Sequence, residues 1–248
     1  MGKVLLITGG SRGIGAATAR AAARAGWTVV LSYRAASEAA ARVVDEILAA
    51  GGRAEAICAD VGREADVVAL FAHCRDRHGR LDGLVNNAGI LPRVARLRDI
   101  EPARWAETFA INVTGTFLCC REAAQMMSTR AGGAGGSIVN LSSMASVLGG
   151  GGEFVDYAAS KGAVDTLTIG LSRELGPEGI RVNAVRPGLI DTEIHGSAGD
   201  ADRVSRLVGS VPLGRAGSAE EAAEAIVWLL SDAASYVTGS VIAVTGGR

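Results

Sequence analysis

The sequence is poor in the residues that staple or anchor a chain. Its 248 residues include four cysteines and three histidines. So few cysteines make no disulfide framework in a chain this long, and free thiols are expected. Cys119 and Cys120 sit in a helical apolar pattern and read as buried. His73, Cys74 and His78 resemble a metal cluster only briefly. On a helix, offsets of one and five scatter these side chains, and no second cluster completes the set, so no metal site is expected. No apolar run reaches the ~18–20 residues that a membrane span needs. Residues 1–8 begin a strand and pass into a glycine loop, unlike a secretory leader. Gly2 is not a myristoylation site, because Leu6 occupies the Ser/Thr position. Cytoplasm is therefore the expected compartment, where the sequon Asn112-Val113-Thr114 carries no glycan. Charge of one sign is lacking too: 25 basic residues face 26 acidic ones, for a net charge of -1. That balance argues against a broad basic face for nucleic acid.

What is present is an ordinary globular composition, 48% apolar and 21% charged. A chain this long buries roughly three quarters of its unfolded surface without staples. Short β-branched runs alternate with Ala-rich helical stretches. Strands are expected at Lys3–Thr8, Thr28–Ser32, Ala54–Cys58, Gly83–Asn86, Ser137–Leu141, Arg181–Val185 and Val241–Val244. Helices are expected at about 13–25, 36–50, 64–78, 102–129, 156–175 and 219–231. The strand runs are nearly all apolar (V-L-L-I, T-V-V-L, G-L-V, S-I-V-N-L) rather than alternating, as strands covered on both faces require. The pattern predicts an α/β Rossmann fold, a doubly wound parallel seven-stranded sheet with helices on both faces. No linker and no repeat divides residues 1–248, so one domain is expected. Gly132–Gly136 reads as a surface loop, and Gly149–Gly152 lies close to the candidate chemistry.

The first strand runs into Thr8-Gly9-Gly10-Ser11-Arg12-Gly13-Ile14-Gly15 and then a helix. Backbone amides and the helix dipole attract an anion there. Glycines at 9, 13 and 15 let a pyrophosphate approach without a Cβ in the way. An NAD site usually carries Asp or Glu at the end of the second strand. Here that place reads Ser32-Tyr33-Arg34, and the nearest acid, Glu38, lies inside the next helix. Arg12 and Arg34 suit a 2′-phosphate, so NADP(H) is the preferred cofactor, with NAD(H) as the alternative. Asp60-Val61 and Asn86-Asn87-Ala88-Gly89 follow the third and fourth strands, at the edge where open α/β sheets bind ligands.

Tyr157 and Lys161 lie four apart at the start of a helical stretch, on one helix face. A phenol with a pKa of about 10 is a poor base near neutrality, and a nearby ammonium is expected to lower it. Ser143, just past the fifth strand, is placed to donate to a substrate carbonyl oxygen. No acid partner is evident for His73, His78 or His195, so a serine hydrolase is a poor reading.

Taken in order, these motifs resemble the short-chain dehydrogenases/reductases over essentially the whole chain. Thr8-Gly9-x3-Gly13-x-Gly15 is similar to that family's cofactor loop, Asp60-Val61 to its adenine contact, and Asn86-Asn87-Ala88-Gly89 to its adenine-side motif. Asn112, Ser143, Tyr157 and Lys161 fall where its catalytic tetrad falls. Arg186-Pro187-Gly188, with Ile190 and Thr192 beyond, is similar to its nicotinamide-side loop. The resemblance implies that Tyr157 exchanges a proton with the carbonyl or alcohol oxygen. Lys161 would hold the nicotinamide ribose and depress the Tyr157 pKa. Ser143, rather than Ser142, would polarise the carbonyl, and Asn112 would hold a water in a proton relay to Lys161. It also implies cofactor contacts at Ser11, Ile14, Tyr157 and Lys161, and a homotetramer built through the helices carrying Asn112 and Tyr157 and through the last strand. The apolar run Ser240–Val244 fits such an interface, and a core strand equally well.

Substrate choice is expected to lie with Leu91–Leu97, Met144–Asp156 and Ile190–Val211, the last reading as a structureless mobile lid over about 190–211. Two groups of the family look nearest: 3-oxoacyl-carrier-protein reductases and glucose-type sugar dehydrogenases. The former tend to carry a basic residue where this chain has Glu178, which counts against a carrier-protein partner. The expected activity is interconversion of a small-molecule carbonyl and alcohol. A non-catalytic dinucleotide sensor on the same fold is the alternative of another class.

Overall fold

A computed structural model of the chain describes residues 2–193, 196, 198–200 and 202–248. Seven parallel strands form one sheet: β1 (Val4–Thr8), β2 (Thr28–Tyr33), β3 (Arg53–Cys58), β4 (Gly83–Asn86), β5 (Gly136–Leu141), β6 (Ile180–Pro187) and β7 (Val241–Val244). Their spatial order is β3-β2-β1-β4-β5-β6-β7. The chain winds outward from β1 to β3 and then returns to the other side of β1 as β4. This reversal leaves a crevice at the carboxyl ends of β1 and β4, where Thr8 and Asn86 are register partners.

The central strands are buried on both faces, because helices cover both. One core joins α1 (Gly13–Arg24), α2 (Ser37–Ala49) and α9 (Ala219–Leu230) to the sheet through Ala16, Ala19, Val43, Ile47, Ile226 and Leu229. Alanines let α1 and α9 approach closely, at Ala17, Ala21 and Ala223. The other core joins α3 (Glu64–His78), α5 (Gly115–Met127) and α7 (Val155–Leu175) through Leu70, Phe71, Leu118, Met127 and Leu175. The edge strand β3 is only half-buried, as is β7. α9 opens on a capping box between Ser218 and Glu221.

Several expectations need correction. The stretch 102–129 is not one helix. It divides into α4 (Pro102–Phe109), a π-turn at Ala110–Thr114, and α5. Segment 190–211 is not structureless. It contains a bridge from Ile190 to Gly217, the short helix α8 (Arg203–Leu207), and a 3-10 turn at Val208–Ser210. A further short helix, α6 (Ala145–Leu148), precedes the glycine run. His73 and His78 do have an acid partner: both direct Nε2 at Glu55, at 3.2 and 2.7 Å, between α3 and β3 and away from the crevice. His195 lies outside the described residues.

Cys74, Cys119 and Cys120 are buried, and Cys58 is exposed; all four are free. Burial pushes the Cys74 and Cys120 thiols up to about 12, and raises Cys119 as well, so the three are inert. Among the described residues, no helix is long and apolar enough to cross a membrane.

Candidate active site

The site is a cavity of about 680 Å³ along the carboxyl edge of the sheet. Its floor is the turn between β1 and α1. Arg12, the residue preceding α1, makes no side-chain cap, so the first amides of the helix are left for an anion. The turn needs its glycines for separate reasons. Gly9 holds φ +65, and a Cβ there would stand 2.9 Å from the Ala88 Cα. A Cβ on Gly15 would lie 2.4 Å from both the Asn87 Nδ2 and the Gly9 oxygen. Thr8 and Asn87 knit this loop to the one after β4. The Thr8 hydroxyl accepts from the Asn87 and Ala88 amides at 3.1 Å, and Asn87 Nδ2 donates to the Thr8 and Gly9 oxygens at 3.0 and 2.8 Å.

Around this floor the cavity wall includes Gly9, Ser11, Arg12, Gly13, Ile14, Arg34, Asp60, Val61, Asn87, Ala88, Gly89, Pro187, Gly188, Ile190 and Thr192. Ser143, Tyr157 and Lys161 line it too. Of the residues named in the sequence motifs, Thr8, Gly10, Gly15, Asn86, Asn112 and Arg186 do not reach the wall. Gly15 acts from behind, by leaving room for the Asn87 amide. Asn112 is fully buried. Its Oδ1 accepts from the Ile90 amide at 2.9 Å, and its Nδ2 donates to the Ile90 oxygen and to the Ser160 hydroxyl at 3.0 and 3.1 Å. The π-turn thus aims Asn112 to brace the loop after β4 against α7.

Lys161 is only 5% exposed. Its Nζ donates to the Leu141 oxygen at 2.7 Å and stands 5.6 Å from the centre of the Tyr157 ring. Burial lowers its pKa from the ordinary 10.5 to about 8, against a smaller opposing pull from Asp165. Asp165 is in turn held by Arg186 at 2.9 Å. Tyr157 departs from the expectation drawn from Lys161. Burial pushes its phenol above the ordinary value, and the opposing influences are the Ser143 hydroxyl and the Arg203 guanidinium. The ammonium interacts with the ring face and the Leu141 carbonyl, so it does little to draw the proton off the hydroxyl. Ser143 Oγ accepts from the Ala145 amide at 3.1 Å and lines the cavity. Ser142 is buried, its hydroxyl turned to the Lys161 carbonyl at 3.3 Å.

The far end of the cavity is walled by Leu91, Met144, Leu148, Gly150, Gly151, Glu153, Phe154, Leu189 and Arg203. Most belong to the three segments expected to govern substrate choice. Arg203 lies within the 190–211 segment expected to govern substrate choice but was not singled out in it, and Arg248 carried no sequence signal; only the fold brings each to the cavity.

The arrangement pairs an anion cradle with a hydroxyl, a phenol and an ammonium in one enclosure. Residues 9–248 match the family model described as enoyl-(acyl carrier protein) reductase. The chain is similar to the uncharacterized oxidoreductase YgfF of Escherichia coli (strain K12), at 53% identity over 99% of each chain. It is also similar to a 3-oxoacyl-[acyl-carrier-protein] reductase of Synechocystis sp., at 39% identity over 99% of this chain and 96% of that one. A solved structure of a mutant Serratia marcescens short-chain dehydrogenase/reductase superposes with a TM-score of 0.90, at 35% identity over 100% of this chain and 98% of the other. The chain belongs to the short-chain dehydrogenase/reductase family, oxidoreductases that work with nicotinamide dinucleotides.

Proposed function

We propose that the protein is an NADP(H)-dependent oxidoreductase that interconverts a small-molecule ketone or aldehyde with the corresponding alcohol. The observation that carries this reading is the convergence of Ser143, Tyr157 and Lys161 on the cavity that the glycine loop opens into. The dinucleotide fits the residues present. Gly9 and Gly15 let the turn pack against Asn87 and Ala88 where any side chain would collide, and the amides at the start of α1 are uncapped. NADP(H) is favoured because Arg12 and Arg34 both line the cavity, and among the described residues neither guanidinium has an ion-pair partner. No carboxylate stands at the end of β2 to claim a ribose 2′-hydroxyl.

The bound cofactor supplies the hydride in one direction and accepts it in the other. Tyr157 gives its phenolic proton to the carbonyl oxygen on reduction and takes the alcohol proton on oxidation. Ser143 donates a hydrogen bond to the same oxygen as negative charge develops on it. Lys161 offers its ammonium to the ribose hydroxyls, and Asn112, both ends of its amide already bonded to Ile90 and Ser160, acts by bracing the loop after β4 against the helix that carries Tyr157 and Lys161. A phenol raised by burial stays protonated near neutrality, so reduction is favoured there and oxidation at alkaline pH.

The substrate is a small molecule with an apolar flank, matched to Leu91, Met144, Leu148 and Phe154. Glu178, which pairs with Arg130 at 3.9 Å, keeps a negative charge where a carrier-protein partner calls for a positive one. A cytoplasmic homotetramer is the natural assembly, with Phe117 on α5, Ile169 on α7 and the edge strand β7 left uncovered.

The test is an NADPH-oxidation screen over ketones, aldehydes, sugars and acyl thioesters, repeated in reverse with NADP and alcohols. Tyr157→Phe is expected to lower turnover by about 10²- to 10⁴-fold while leaving NADPH affinity nearly intact. Normal turnover in that variant would remove the mechanism. A kcat/KM favouring NADH would remove the cofactor assignment.

A further inference from the structure

The glycine run has a structural consequence at the substrate end. Gly149, Gly150 and Gly152 hold φ values of +79, +61 and +79, which side chains rarely adopt. The turn they make closes on itself, with the Glu153 and Phe154 amides both donating to the Gly150 oxygen, at 3.1 and 2.9 Å. A Cβ on Gly150 would lie 2.9 Å from the Phe154 oxygen. This tight turn delivers Glu153 and Phe154 to the cavity just before α7 begins.

There they meet α8. The Arg203 guanidinium lies 4.7 Å from the centre of the Phe154 ring and pairs with Glu153 at 2.9 Å and Asp200 at 3.4 Å. Arg203 is only 8% exposed, and it lines the cavity. Phe154 in turn meets the Tyr157 ring edge-on, with centroids 5.9 Å apart. Glu153 and Asp200 offset the cost of burying this cation, and together they fix its guanidinium inside the cavity.

We infer that Arg203 is a positioning residue of the reaction, a second cation on the substrate side of the cavity, held against the Phe154 ring that packs edge-on to Tyr157, with Glu153 moderating its field. The inference rests on Tyr157 acting as the proton donor and acceptor. The groups around Tyr157 come from several elements. Ser143 stands past β5, and Lys161 is on the same helix with Asp165 one turn on. Glu153 comes from the glycine turn, and Arg203 from α8. Asp200 and Arg206 complete the ionic cluster, and Glu193 and Arg248 line the same cavity. The four charges of Glu153, Asp200, Arg203 and Arg206 cancel. Removing one member therefore leaves a net charge, negative without Arg203 and positive without Glu153.

That sign separates positioning from mere bracing. Tyrosinate absorbance of the full chain is titrated with pH, with and without NADP, and the Tyr157→Phe titration is subtracted to isolate one phenol. Arg203→Gln is expected to lower the Tyr157 tyrosinate fraction about threefold or more at the wild-type midpoint pH. Glu153→Gln, which unmasks the guanidinium, is expected to raise it. Arg203→Lys should stay near wild type. A simple latch would loosen in both glutamine variants and move the titration the same way. A shared direction, or no movement in either folded variant as judged by NADPH binding, overturns the inference. Undiminished turnover in Tyr157→Phe would instead defeat the tyrosine mechanism itself, so the two failures are distinct.

Discussion

The two ends of the cavity are built by opposite strategies. The cofactor end is made of backbone: glycines, uncapped amides and the Thr8–Asn87 stitching, all within short loops at strand ends. Its steric tolerance is nearly zero. The substrate end is made of side chains from distant segments, drawn together by ion pairs around Arg203 and by a glycine turn with open space at Gly149, Gly151 and Gly152. A site that must hold one invariant ligand is rigid and local, whereas a site that selects among substrates is assembled from loops.

The largest effect expected from breaking this contrast is at the hinge between the two ends. Lys161→Met should cut turnover about 100-fold or more. Its stability signature has a definite sign. Below pH 8 the buried ammonium is protonated in both folded and unfolded chains, and its burial cost is present in full. Between about 8 and the ordinary 10.5, the unfolded chain binds a proton that the folded chain does not. Wild type should therefore gain stability relative to Lys161→Met as pH rises through that window. Urea midpoints of the two proteins at pH 7 and pH 9.5 check this, and a constant difference would refute it.

Gly15→Ala comes next. Its methyl collides with the Asn87 amide and the Gly9 carbonyl, so a loss of about 1–3 kcal/mol is expected by urea unfolding, together with weaker NADPH binding. Arg34→Ala is expected to cost about tenfold in kcat/KM with NADPH and little with NADH. Steady-state kinetics with both cofactors measure that ratio. The smallest effect belongs to Gly151→Ala at the other end. Nothing lies within 4 Å of its Cβ position and its φ is not positive, so stability should change by less than about 0.5 kcal/mol. If Gly15→Ala proved as harmless as Gly151→Ala, the distinction between the two ends would fail.

Most strands were legible because a parallel strand buried on both faces leaves a continuous apolar run, and each of the seven runs ends at a glycine or polar turn. The glycine loop was legible from spacing within one turn, whereas Tyr157 and Lys161 stood out only as part of the ordered set of motifs that the family resemblance rests on. Asn112 was placed on an unbroken helix, because a π-turn differs from an α-helix by one hydrogen-bond register and alters no local composition. The partnership of Glu55 with His73 and His78 was missed because strand and helix meet only after folding.

The sequence by itself determined the doubly wound sheet and the glycine turn, since each is written in local periodicity and spacing, and it singled out Tyr157 and Lys161 through the order of motifs along the whole chain. Only the tertiary structure decided how those groups are tuned. The Tyr157 phenol is raised by enclosure rather than lowered by its neighbour, the Lys161 ammonium is brought to about 8, and Arg203 arrives from a segment with no local pattern to announce it. Desolvation and Coulomb forces depend on which atoms surround a charge, and that enclosure exists only once the loops have closed.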